Sequence, residues 1–250
     1  MKNKRLFGLS VTIGTKMSAV LEQISEAIEQ KKGIFITFVN PYVYAVARED
    51  SNYVELLDQH DLILSDGIGV KKALDMFSDE ENERISFDNT SLASTLFPLA
   101  AEKGWKVVLV GGKPGITEKA GEVLKKDVAD IQVVGCLDGY TNPEENQKKV
   151  MALKPDVVVC GMGVPRQEAF IMGLKELGFK GAALTCGGFF DQTAASGVQY
   201  YPVWVDRYNV RWIYRLAKEP RRLARRYLWE YRVFVISVLL AKLGLKKAIT

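Results

Sequence analysis

KVVLVGG (residues 106–112) and DVVVCGMG (residues 156–163) decide how this chain folds. Each is a short β-branched run trailing into glycine, the pattern of a strand buried on both faces. Four more runs of the same kind flank them: IFITFV (34–39), DLILSDG (61–67), IQVVGCLDG (131–139) and AALTCGG (182–188). Helical patterns lie between. MSAVLEQISEAIEQ (17–30) sets Leu21, Ile24 and Ile28 at helical spacing, and ITEKAGEVLKKDV (116–128) reads the same way. Strands alternating with helices predict an α/β fold, a Rossmann-like, doubly wound and mainly parallel sheet. No internal repeat or low-complexity linker appears.

Away from these runs the ends of the chain differ from the middle. MKNKRLFGLSVTIG is basic and then apolar, but Gly8, Ser10 and Thr12 break its apolar part and no small-residue cleavage site follows. It reads as a first β-strand of a protein kept on the cytoplasmic side. Cys136, Cys160 and Cys186 lack CxxC spacing and a histidine cluster, so they read as buried thiols in a reducing compartment. The charge is uneven. Residues 1–200 carry 22 Lys+Arg and 27 Asp+Glu, whereas residues 201–250 carry 12 and 3. That gives an acidic body, net −5, and a basic tail, net +9. The expected division is a catalytic core over 1–200 and a helical appendage over 201–250.

In the tail, Arg211, Arg215, Lys218, Arg222 and Arg225 fall on one helical face, with Trp212, Leu216, Leu223 and Tyr227 away from it. Pro220 should kink or divide that helix. The last apolar run, VFVISVLLA (233–241), is too short to span a bilayer. A basic, aromatic-rich amphipathic segment suits a membrane surface; a helix packed on its own domain with solvated arginines is the plainer reading.

Glycines cluster at the carboxyl ends of the strands, where open α/β sheets bind ligands and helix N-termini offer free N–H groups. Four places there carry polar groups. Asp66, in ILSDGIGV, stands where a carboxylate could take a proton from a substrate hydroxyl. Taken alone, it is as well explained as the N-cap of the next helix. Asn40, before Pro41, either starts a turn or orients a sugar hydroxyl. In GMGVPRQE (161–168), Arg166 and Gln167 could hold phosphate or sugar oxygens, or merely open a helix ending near Leu177. In CGGFFDQTAASG (186–197), Asp191 could meet a ribose or base, or cap a helix. GGKPG (111–115) offers Gly111 and Gly112 as a diphosphate-facing turn, although it is not GxGxxG. P-loop, HExxH and GxSxG patterns are absent. His60 is the only histidine, so a histidine-based metal site or triad is not expected.

Together these segments resemble the WecG/TagA/CpsF family, glycosyltransferase family 26. NPYVYAVARED, ILSDGIGV, GMGVPRQEAFI, CGGFFD and WIYRLAKEPRRLARRYL occur in the family's order and spacing across nearly the whole chain. The resemblance implies transfer of a sugar, with inversion, from a UDP-sugar to an undecaprenyl-diphosphate-linked sugar in cell-surface polysaccharide synthesis. No cofactor and no essential metal are implied. It also implies a Rossmann-like core and an appendage that completes the site at the membrane. Asp66 matches the family's proposed general base, Asn40 and Arg84 match pocket positions, and Gln167 matches the glutamine of its PxQE loop. Arg215, Arg222 and Arg225 match appendage arginines that close over the donor diphosphate. Guanidinium groups suit that task, because the departing diphosphate gains negative charge.

The chain also departs from the family. Phe38 stands where a threonine is frequent, SFDNTSL follows Arg84, and CGGFFDQTA replaces the commoner GGxFDxxAG. These positions fall where the sugars should sit and suggest an exopolysaccharide branch. N-acetylmannosamine is therefore not carried over, and glucose, glucuronic acid and N-acetylmannosaminuronic acid stay open. Three other classes fit the sequence less well. A nucleotide-binding oxidoreductase lacks its GxGxxG, a non-catalytic membrane adaptor leaves the polar strand ends unexplained, and nucleic acid finds no extended basic surface on an acidic core. The expected partners are the UDP-sugar, the lipid-linked acceptor and the inner leaflet of the cell membrane. A homo-oligomer is the other way to cover the apolar helix.

Overall fold

The computed structural model describes residues 1–197, Val205, 211–218, Pro220, 226–245 and 247–249. Six parallel strands form one sheet in the order β4-β3-β8-β7-β5-β6. They are β3 (Ile34–Val39), β4 (Leu62–Ser65), β5 (Lys106–Gly111), β6 (Gln132–Leu137), β7 (Val157–Gly161) and β8 (Ala182–Thr185). This is the doubly wound sheet expected from the glycine-ended runs. Side chains alternate between its two faces, as the two-residue period of a strand requires. Ile34, Ile36, Val107, Leu109, Val157 and Val159 enter one core cluster. Phe35, Val108, Val110, Val158 and Cys160 enter the opposite one. Each such fully buried aliphatic side chain contributes about 1.5–3 kcal/mol.

Helices cover both faces. On one side α1 (Met17–Glu29), α5 (Leu92–Glu102), α6 (Ile116–Asp127) and α9 (Phe189–Ser196) pack through Val20, Ile24, Leu96, Leu124 and Phe189. On the other lie α2 (Pro41–Glu49), α3 (Ser51–Asp58), α4 (Gly67–Phe77), α7 (Pro143–Leu153) and α8 (Arg166–Glu176). Later in the chain come α10 (Arg211–Lys218), a π-helical turn at Arg226–Glu230 and α11 (Tyr231–Lys242).

Two sequence readings change. The N-terminal stretch forms an antiparallel hairpin off the main sheet, β1 (Lys2–Leu6) and β2 (Leu9–Ile13), instead of one strand. Phe7 and Gly8 both have positive φ, 53° and 92°, as a two-residue hairpin turn of the twist-matched kind needs. Leu9, Val11 and Ile13 then face the core, and Thr12 Oγ1 accepts the Ile63 N–H of β4 at 2.8 Å. Strand β6 is only half-buried, because it is the sheet edge and pairs with β5 alone.

The tail returns to this hairpin. Phe234 of α11 meets Phe7 and Tyr44 edge to face, at 5.8 and 5.4 Å between centroids. The Tyr44 hydroxyl is 2.8 Å from Ser237 Oγ, and the Phe7 N–H donates to the Ala248 carbonyl at 2.7 Å. The outer side of the tail stays apolar and exposed, at Leu228, Trp229, Val235, Ile236, Leu239, Leu243 and Leu245. Among the described residues, no helix is long and apolar enough to cross a membrane.

Candidate active site

The register of two neighbouring strands creates the centre of the site. Val39 of β3 lies opposite Ser65 of β4, so the next residues, Asn40 and Asp66, emerge side by side at the carboxyl edge. Asn40 is the N-cap of α2, and its Oδ1 accepts the N–H groups of Tyr42 and Val43 at 3.0 and 3.1 Å. Those two donors fix the amide's orientation and leave Nδ2 to donate to Asp66 Oδ2 at 3.1 Å. Asp66 occupies the N-cap position of α4 but makes no capping hydrogen bond. The capping explanation for this carboxylate therefore fails; it is half-buried and faces a cavity.

That cavity has a volume of about 1310 Å³ and is lined from the carboxyl end of every strand in the sheet. Asn40, Asp66, Arg84, Gly112, Arg166, Gln167 and Asp191 all line it. Arg84 comes from the loop after α4, near Ser86 and Asp88, which also line it. Asp191 lies in the first turn of α9, whose N-cap is Gly188, so it is not the capping residue. Gly111 is not a lining residue. It has φ +141°, and a β-carbon there would collide with the Gly161 backbone, so its place is the close approach of β5 to β7. Gly112 has φ +63° and faces the cavity. Arg215 falls in α10, whereas Arg222 and Arg225 lie outside the described residues. From α11, Tyr231, Phe234, Val235 and Val238 close one wall.

The PRQE loop proves to be a layered device. Arg166 Nη2 donates to the Gly139 carbonyl at 2.5 Å, and its guanidinium lies 6.0 Å from the Tyr140 ring centroid. It thereby ties the loop after β6 to α8. Gln167 is buried; its Oε1 accepts the Gly187 N–H at 3.2 Å, and its Nε2 donates to Glu168 Oε1 at 2.8 Å. Glu168, which the sequence reading passed over, is wholly buried. Burial pushes its carboxyl up to about 7, against hydrogen bonds that act in the opposite sense. Cys186 also lines the cavity, but burial holds its thiol well above the ordinary range, so it carries no thiolate chemistry.

Other lining groups carried no individual role in the sequence, although Phe38 and the segments holding Ser86, Phe87, Lys113 and Phe189 were expected near the ligands. Lys72 and Lys113 reach the cavity from α4 and from the turn after β5. Ser86 Oγ is buried there without a hydrogen-bond partner among the described residues. Phe38, Phe87 and Phe189 form an aromatic wall, with centroids 6.2 Å apart for Phe38–Phe87 and 5.2 Å for Phe87–Phe189.

A cationic and amide-rich crevice thus lies beside a carboxylate freed from capping, and comparison with known proteins shows to which family the chain belongs. The profile of the glycosyl transferase WecG/TagA/CpsF family matches residues 4–248. The chain belongs to this family. Among its relatives is the UDP-Gal:alpha-D-GlcNAc-diphosphoundecaprenol beta-1,4-galactosyltransferase of Shigella boydii. It is 32% identical over 219 residues, 86% of this chain and 90% of the relative. The N-acetylglucosaminyldiphosphoundecaprenol N-acetyl-beta-D-mannosaminyltransferase of Bacillus subtilis is 30% identical over 199 residues, 79% and 77% of the two chains. An enzyme of the same name from Staphylococcus aureus is 28% identical over 238 residues, 94% and 91% of the two. The chain is thus a glycosyltransferase of the WecG/TagA/CpsF type, and the oxidoreductase alternative finds no support among these relatives.

Proposed function

We propose that this glycosyltransferase moves a sugar from a UDP-sugar onto a sugar linked to undecaprenyl diphosphate, with Asp66 as the general base. The observation that carries the reading is the Asp66 carboxylate, released from capping and held toward the cavity by Asn40 Nδ2. Asp66 takes the proton of the acceptor hydroxyl as its oxygen attacks the anomeric carbon. The bond from that carbon to the UDP oxygen breaks on the opposite face, and UDP leaves with the electron pair. Attack opposite the leaving group inverts the centre, which agrees with the β products in the relatives' names.

The departing diphosphate needs positive charge. Arg84, Lys72 and Lys113 line the cavity, and the tail supplies Arg215, Arg222 and Arg225 by the family resemblance. The cavity volume of about 1310 Å³ exceeds the roughly 300–1,000 Å³ usual for one small ligand, which suits a donor and an acceptor bound together. Gly112, Gln167 and Asp191 then contact the donor, with Arg166 fixing the loop beside it.

The tail, 201–250, is the membrane-facing part of this reading. Its net charge of +9 suits an anionic inner leaflet, and the exposed apolar residues of α11 suit the headgroup boundary. With α11 also walling the cavity, docking on the membrane and completion of the site become one event. In solution a second copy of the chain is the alternative cover for that apolar face.

The test is UDP release from a panel of UDP-sugars, including galactose, glucose, glucuronic acid and N-acetylmannosamine, with and without lipid-diphosphate-linked acceptor. Acceptor-dependent release with one donor, and a β linkage in the product by NMR, is expected. Release that ignores the acceptor, or a product of retained configuration, would contradict the reading.

A further inference from the structure

Below the cavity, the first turn of α8 buries one carboxyl that the transfer step does not use. Glu168 Oε1 accepts two hydrogen bonds, from Gln167 Nε2 at 2.8 Å and from Thr37 Oγ1 at 3.2 Å. Thr37 Oγ1 is in turn 3.0 Å from Thr185 Oγ1. Oε2 has no hydrogen-bond partner of good geometry among the described residues, and neither has the Tyr53 hydroxyl that faces the same carboxyl from α3. Cys160 of β7 is another titratable neighbour, and burial raises its thiol well above the ordinary range. Among the described residues, no cation is paired with Glu168. The adjacent guanidinium of Arg166 is turned to Gly139 and Tyr140.

This pattern fits a neutral acid better than a carboxylate. A protonated carboxyl accepts at one oxygen and carries its proton on the other; here both donors meet Oε1, and Oε2 has no hydrogen-bond partner among the described residues. A carboxylate would instead stand buried without a compensating charge. Its position has a consequence for ligands. Gln167 and Thr185, which surround it, both line the cavity. A negative charge directly below would repel a nucleotide diphosphate with little water between them.

We propose that Glu168 is a positioning residue in the cavity floor that carries its proton in the donor-bound state, holding the Gln167 amide for the donor while keeping negative charge out of the diphosphate site. The inference rests on the UDP-sugar reading above. Gln167 carries the effect outward, because its Oε1 pins the Gly187 N–H of the turn that lines the cavity. Binding and protonation are then linked in both directions: a polyanion in the cavity draws a proton onto Glu168, and deprotonation weakens polyanion binding. Burial already lifts this carboxyl to about 7, so the exchange falls in the neutral range.

The experiment is calorimetric titration of UDP into the full-length chain and into Glu168→Gln, between about pH 6 and 8.5 and in two buffers of different ionisation enthalpy. Comparing the two proteins cancels the titration of UDP itself. The expected affinities are similar near pH 6, with the wild type about tenfold the weaker by pH 8.5. Near pH 7.5 the wild type should also take up more protons on binding than the variant. A ratio of affinities that does not change with pH, or equal proton uptake, would overturn the inference while leaving the transferase reading intact. No UDP binding by either protein at any pH would overturn the UDP-sugar reading and the inference together. If Glu168→Gln does not fold, carboxyl-13C NMR of glutamate-labelled wild type decides. One glutamate titrating near pH 7, and moving upward with UDP, is expected; none titrating above about pH 5.5 would overturn the inference.

Discussion

Two carboxylates stand at strand-to-helix junctions of the same sheet edge, and their surroundings divide them. Asp66, after β4, is half-buried, faces the cavity and takes one hydrogen bond from Asn40. Glu168, in the first turn of α8 after β7, has no exposed surface and takes hydrogen bonds from Gln167 and Thr37. Both lie near a helix N-terminus, where a carboxylate commonly caps, and neither caps. The difference lies in water. A carboxyl that loses it is easier to keep neutral, as Glu168 is. One edge thus offers a base and a neutral acid.

The comparison breaks most visibly at Asp66. Asp66→Asn should lower kcat by about 10²–10⁴-fold, the range of a lost general base, with the melting temperature close to wild type. An equal loss in Glu168→Gln would erase the distinction between the two groups. Next in size is an effect on stability. The folded carboxyl of Glu168, at about 7, lies above the usual 4.5, so the neutral form folds better. Its contribution is present below about pH 4.5 and lost as pH rises through 7, up to roughly 3 kcal/mol. Glu168→Gln escapes that loss, so its stability relative to wild type should climb between those pH values and level off above. Urea unfolding at several pH values measures this. His60, lowered to about 4 by burial, costs stability in the other direction, as pH falls from 6.5 toward 4, and cancels between the two proteins.

A subtler substitution sharpens the pair. Asn40→Asp keeps an N-cap for α2 but sets a second carboxylate against Asp66. One of the two must then bind a proton more tightly. The alkaline part of the pH–rate profile should survive while kcat near pH 6 falls, about tenfold, and the melting temperature should move little. The smallest effect is expected at Thr37→Val, which removes one of the two donors to Glu168 Oε1. It should cost about 1 kcal/mol in urea unfolding and change kcat less than threefold.

How much of this was legible follows the same line of burial. The strands were readable because a β-branched run ending in glycine has few other uses, and Asp66 and Asn40 were readable because they follow such runs directly. The hairpin was not, since Phe7-Gly8 looks like a break in one strand until both residues take positive φ. Gly111 and Gly112 are identical neighbours in sequence, and only their contacts separate a packing glycine from a lining one. Arg166 read as a holder of phosphate or sugar oxygens or as part of a helix opening, and nothing in PRQE announces that the Gly139 carbonyl is also within its reach. Glu168 was invisible for a physical reason: in the first turn of a helix, Glu looks like an exposed partner for the helix dipole. Its burial depends on Tyr53, Thr37 and Thr185, which come from three separate elements.

The central claim is that Asp66, and not its buried counterpart, takes the acceptor's proton. The most direct measurement is acceptor-dependent UDP release by Asp66→Asn, on a preparation whose UDP affinity has first been measured by calorimetry. The account predicts UDP affinity within a few-fold of wild type and turnover lower by at least about 10²-fold. Turnover near the wild-type rate in that preparation would contradict it.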